Sequence, residues 1–91
     1  MNQNKMHLSH ILCAHKFQAE DILRQWKAGK DFADLARKFS ECSSRAQGGD
    51  LGLIDLRRLD PDFAEAASLL QPSEVSPIIR TRFGYHLILR H

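Results

Sequence analysis

The apolar residues of this 91-residue chain change period along its length, and that change does most to limit the fold. Over residues 6–13 they alternate: Met6, Leu8, His10 and Leu12 fall on one face, His7, Ser9, Ile11 and Cys13 on the other. Such alternation predicts a strand with one clearly apolar face. His10 sits on that face between two leucines, so a partly buried imidazole is expected. From Phe17 the spacing turns helical, with Ala19, Ile22, Leu23 and Trp26 recurring on one side. Gly29 is the expected C-terminal cap. Asp31 then caps a second helix, in which Phe32, Leu35, Ala36 and Phe39 repeat the spacing as far as Ser40.

Residues 41–49 read as loop, and residues 51–54 as a short strand in which Gly52 marks a bend or a close approach. Asp60-Pro61 is a helix start, with aspartate as cap and proline at the first helical position. Phe63, Ala66, Ala67 and Leu70 line one side of that helix until Gln71-Pro72-Ser73-Glu74 breaks it. Residues 75–80 and 85–90 read as two strands joined by the hairpin-like turn Thr81-Arg82-Phe83-Gly84, with Pro77 at an edge or a strand start. The order strand, helix, helix, strand, helix, strand, strand predicts an α+β layer, a small sheet with helices packed on it. Residues 1–91 form one domain, because a chain of this length supports a single modest core.

Charge and cysteine count exclude several classes. A net charge of +2 is too slight for a nucleic-acid footprint, which needs a concentrated basic patch. No apolar run is long enough to span a bilayer, and the first six residues lack the apolar stretch of a leader, so a cytoplasmic protein is expected unless the chain is a domain cut from a longer exported protein. Cys13 and Cys42 are too few for a disulfide framework and are expected as free thiols. Nothing suggests an oligomer.

The candidate chemistry lies in a few side chains. His10 and His86 both fall inside strands among apolar neighbours. If those strands are adjacent, the imidazoles can partner each other, either as a satisfied core pair or as part of a site. Cys42 invites a nucleophile reading, but it lacks the local signatures of cysteine peptidases. A metal site is not expected, since there is no Cys-x-x-Cys pair and no helical His-x-x-x-His pair, and His7 and His10 lie on opposite faces of one strand. The glycine run 48–52 lacks the lysine and following helix of a phosphate loop and reads as a tight turn into a strand. Leu59 and Phe63, four apart, are expected on one helix face.

Four segments taken together, Leu8-Ser9-His10-Ile11-Leu12, Cys42-Ser43-Ser44, Gly48-Gly49-Asp50-Leu51-Gly52 and Phe83-Gly84-Tyr85-His86-Leu87-Ile88-Leu89, resemble the parvulins, the smallest family of peptidyl-prolyl cis/trans isomerases. The resemblance covers residues 7–90. It implies the parvulin (FKBP-like) fold, a four-stranded antiparallel sheet surrounded by helices. It further implies catalytic roles for His10, Cys42 and His86, with Cys42, as thiol or thiolate, hydrogen-bonded into the histidine network and acting electrostatically near the substrate carbonyl. Leu59, Phe63 and Phe83 would form the pocket for the proline ring, Leu59 replacing the family's usual methionine. Ile54 stands where relatives often place an aromatic residue and, with Ser43, would flank the groove. Apart from the resemblance, the charges of Arg45, Arg57 and Arg58 are expected to flank the groove and favour an acidic residue before proline. The implied partners are Xaa-Pro polypeptides and unfolded proteins, with no cofactor or metal. Phosphate-directed members carry a basic cluster after the first strand, whereas Ala14-His15-Lys16 is short and holds one permanent charge, so phosphopeptides are not the expected substrates. The competing reading is a proline-segment-binding chaperone module with little catalysis.

Overall fold

The structure, a computed structural model, describes residues 4–91; the first three residues of the N-terminal segment lie outside it. The chain runs β1 (Lys5–Cys13), α1 (Lys16–Lys27), α2 (Phe32–Phe39), β2 (Asp50–Asp55), α3 (Pro61–Ser68), β3 (Ile79–Thr81) and β4 (Gly84–Arg90). Two single turns of 3₁₀ helix, Ser43–Gln47 and Leu56–Arg58, flank β2. The sheet is antiparallel with strand order β2-β1-β4-β3, so the first and last strands of the sequence pair at its centre.

Local chemistry sets the helix ends. The Asp31 carboxylate accepts the Asp34 amide at 3.2 Å and starts α2. Asp60 accepts the Asp62 amide at 3.0 Å, with Pro61 opening α3 where no amide hydrogen is needed. Gly29 takes φ +104 just past α1, a conformation that side-chain-bearing residues avoid.

Burial of β1 departs from the single apolar face read from its alternation. Leu8 and His10 are buried on one side, Ser9, Ile11 and Cys13 on the other, because helices cover both faces of this central strand. On one face, α1 and α2 bring Ala19, Ile22, Phe32, Leu35 and Ala36 against Ile11, Cys13 and Leu87. On the other, α3 brings Phe63 and Ala67, with Leu70 just beyond it, against Met6, Leu8 and Ile88.

The strand expected over 75–80 is shorter. Val75 makes only an isolated bridge to Leu89, and β3 proper begins at Ile79. Pro77 has no amide hydrogen and cannot join a continuous ladder. Ser76 meets β4 there instead: its amide donates to Ile88 O at 2.8 Å, and its Oγ accepts the Ile88 amide at 3.0 Å.

Candidate functional site

His10 on β1 and His86 on β4 share the sheet face covered by α3. Leu12 is the residue directly opposite His86, which sets the two histidines diagonally across the central pair. Their Nδ1 atoms lie 3.1 Å apart and their ring planes are 18° from parallel. The Phe63 ring stands edge-on to both, with centroids 5.6 Å from His10 and 5.2 Å from His86. His86 Nε2 is 2.7 Å from the Thr81 hydroxyl, which also accepts the Phe83 amide at 3.1 Å.

The protons in this chain of contacts can be placed by counting. The Thr81 oxygen accepts from Phe83, so its own hydrogen is free to donate to His86 Nε2. His86 then carries its proton on Nδ1 and donates to His10 Nδ1, and His10 is protonated at Nε2. The opposite polarity would strand the buried threonine hydrogen as well as His10 Nε2, which has no partner among the described residues in either case. Both imidazoles are neutral. Burial, with a smaller contribution from His86, pushes the His10 pKa down to about 4. Burial also lowers that of His86, against an opposing pull from Asp60.

Cys42 reaches the site through backbone rather than through its sulfur. Ser40 Oγ accepts the Leu12 amide at 3.1 Å and the Cys42 amide at 3.3 Å, and the Glu41 amide donates to Leu12 O at 2.9 Å. Further along, the His10 amide donates to Gly49 O at 3.0 Å. Segment 40–49 is thus clamped to β1 at His10 and at Leu12. It folds as a 3₁₀ turn where loop was expected, with Ser43 exposed at its start. The expected hydrogen bond from the Cys42 thiol to the histidines is absent among the described residues. The network runs through Thr81, which the sequence reading passed over because its face is known only once β3 is registered on β4. Ser40 was passed over for the same reason: its importance lies in pairing with a distant strand.

Leu59 and Phe63 do not share a helix face. Leu59 is extended (φ −97, ψ 161) and precedes the cap, while Phe63 lies in the first turn of α3. Both belong to one apolar cluster: Leu59 and Ile54 pack, partly buried, against the group that holds Phe63, Met6 and Leu8. Phe83 is exposed at the β3–β4 turn with the Arg82 guanidinium 4.9 Å above its ring, tied to the histidines only through its amide on Thr81. Arg57 is bound by Asp55 at 2.7 and 3.0 Å, an arrangement that holds the carboxylate well below its usual range. Arg58 makes no ion pair among the described residues.

Residues 10–91 match the family model described as Rotamase, PPIC-type PPIASE domain. The foldase protein PrsA of Bacillus subtilis is 41% identical over 87 residues, which are 94% of this chain and 30% of PrsA. Its crystal structure superposes with a TM-score of 0.93 at 40% identity, covering 97% of this chain and 35% of that one. The chaperone SurA of Burkholderia lata is 48% identical over 71 residues, 78% of this chain and 16% of SurA. The solution structure of NmPin, the parvulin of Nitrosopumilus maritimus, gives a TM-score of 0.86 at 39% identity and covers 96% of this chain and 95% of that one. The chain spans less than a third of the length of these PrsA and SurA relatives. The two central histidines, the four-stranded sheet and the family match agree: the chain belongs to the PPIC-type peptidyl-prolyl isomerase domains, the parvulins.

Proposed function

We propose that this domain catalyses cis/trans rotation about Xaa-Pro peptide bonds in polypeptides, without a covalent intermediate or a cofactor. The observation that carries this reading is the buried, hydrogen-bonded His10–His86 pair, edge-on to Phe63 beside the clamped Cys42 segment. The chemistry asks for little beyond such a surface. Rotation of a peptide C–N bond faces a barrier of about 18–20 kcal/mol, and Xaa-Pro exchange alone takes roughly tens to hundreds of seconds. Lowering the barrier by about 5–8 kcal/mol supplies roughly four to six decades of rate.

The twisted amide has lost its resonance, so it is less polar at oxygen than either planar form. A site that excludes water and fits the twisted form better than the planar ones gains rate by differential binding. Phe63 and Leu59 hold the proline ring, Ile54 extends the apolar wall, and Phe83 closes over the ring from the β3–β4 turn. His10, His86 and Cys42 set the polar surroundings of the rotating carbonyl, with Ser43 at the rim. Because the histidines are neutral and hydrogen-bonded to each other, they act as a fixed polar floor rather than as proton carriers.

Arg58 favours an acidic residue near the substrate proline; Arg57, occupied by Asp55, contributes less. Clients are unfolded or flexible polypeptides, in keeping with similarity to a foldase and a chaperone. The domain acts in the cytoplasm, a reading supported by its two free cysteines, Cys13 and Cys42, and it acts as a monomer; cell fractionation tests the first point and sedimentation the second.

Refolding of a protein limited by proline isomerisation tests the activity. The wild-type chain accelerates the slow phase, and Phe63→Ala abolishes the effect. An unchanged slow phase, with the client nevertheless bound, would establish the binding-module reading instead.

A further inference from the structure

A second group of ligating side chains lies on the other face of β1. His7 points away from the His10 side because side chains alternate along a strand. The His91 amide donates to His7 O at 2.9 Å, which sets these two residues against each other across the central pair, with rings stacked 4.1 Å apart. Asp50 arrives from β2, opposite Ser9, where the register slips at a bulge. Its Oδ1 takes His7 Nε2 at 2.8 Å and the Gly52 amide at 2.7 Å. One donor atom from each of His7, Asp50 and His91 lies within 4.8 Å of the other two. No spacing rule could have found this set, since its members come from two strands, β1 and β2, and from the residue just past β4.

We propose that His7, Asp50 and His91 bind a first-row transition-metal dication of the Zn²⁺ type at the surface of the sheet. Two imidazoles and one carboxylate suit Zn²⁺, and Mg²⁺ or Ca²⁺ would ask for oxygen donors throughout. Three protein ligands leave a tetrahedral ion one position for water. Ser9 Oγ sits 2.6 Å from His91 Nε2, the kind of second contact that orients a ligating imidazole through its other nitrogen. Bringing the stacked rings onto one ion takes side-chain rotation, which the exposure of all three residues permits. The ion replaces the His7–Asp50 hydrogen bond and ties edge strand β2 and the end of β4 to β1.

Zn²⁺ titrated into the 91-residue chain, followed by calorimetry and by histidine-ring NMR, tests this independently of isomerase activity. One ion per chain is expected, with the signals of His7 and His91 shifting and those of His10, His15 and His86 unmoved. His7→Ala and Asp50→Asn, both on the surface and each confirmed folded by its amide spectrum, weaken binding at least about tenfold. Ser9→Ala weakens it less, and Mg²⁺ does not compete. Absence of saturable binding up to millimolar Zn²⁺, binding that survives both variants, or shifts centred on the other histidines would overturn the assignment.

Discussion

A buried imidazole that stays neutral differs in kind from one in water, and His10 makes the difference measurable. Its pKa is about 4 in the folded protein and 6.5 as an unperturbed group. Between those values the unfolded chain holds more protons than the folded one, so stability rises with pH. The stabilisation is complete above about pH 6.5 and falls as the pH drops towards 4, by at most about 1.4 kcal/mol per pH unit for this group. Urea denaturation midpoints should therefore be flat from pH 8 to 7 and decline below 6.5, and His10→Asn should flatten that decline. Thr81→Val tests the direction of the hydrogen-bond chain. It keeps the shape but leaves His86 Nε2 and the Phe83 amide without their shared partner, at a cost of about 1–3 kcal/mol. Ring-nitrogen NMR should show the His86 tautomer preference lost, and turnover should fall by about tenfold for each 1.4 kcal/mol taken from the twisted state. At this scale the sequence revealed which imidazoles would be buried but not what touched them. The contacts of His86 with Thr81, and of Leu12 with Ser40, join residues whose meeting only the assembled sheet fixes.

Elements were legible wherever a local signal decided them. Asp31 and Asp60 cap the helices they were expected to start, because capping depends only on residues within one turn. The reading failed where one nearby residue interrupted the pattern that spacing alone suggests. Leu59 and Phe63 are four apart, yet the cap at Asp60 falls between them and puts Leu59 outside the helix. Residues 75–78 have strand-like composition, yet Pro77 confines true pairing to Ile79–Thr81. Two glycines with similar dihedrals separate backbone strain from crowding. Gly49 has φ +80, and a β-carbon there would lie 2.4 Å from His10 O; Gly52 has φ +71 and nothing within 4 Å. Gly52→Ala should cost only the left-handed penalty of about 1–2 kcal/mol. Gly49→Ala should cost about 3 kcal/mol and lower turnover as well, since it pushes on the strand that carries His10. Chemical denaturation and an isomerase assay on the two variants check the contrast.

For the whole molecule, the decisive event is the meeting of two strands from opposite ends of the chain. Periodicity shows that β1 and β4 are strands but says nothing of their adjacency, which brings His10 within 3.1 Å of His86. The parvulin resemblance supplied that pairing. The same long-range closure puts His7 beside His91 and leaves the 3₁₀ turn after β2, which carries Arg58, at the sheet edge. Arg58→Glu should reverse a preference for acidic over basic residues next to the substrate proline, and Arg57→Glu should alter it less. Rates on a matched set of peptides read this directly. The central claim is that the groove turns the Xaa-Pro bond rather than merely holding it. Two-dimensional NMR exchange spectroscopy on short non-phosphorylated Xaa-Pro peptides, with and without the protein, separates the two. An active isomerase gives cis–trans exchange cross-peaks within seconds at catalytic concentration, lost in Phe63→Ala. Peptide shift changes without faster exchange would contradict the claim and leave a proline-binding module.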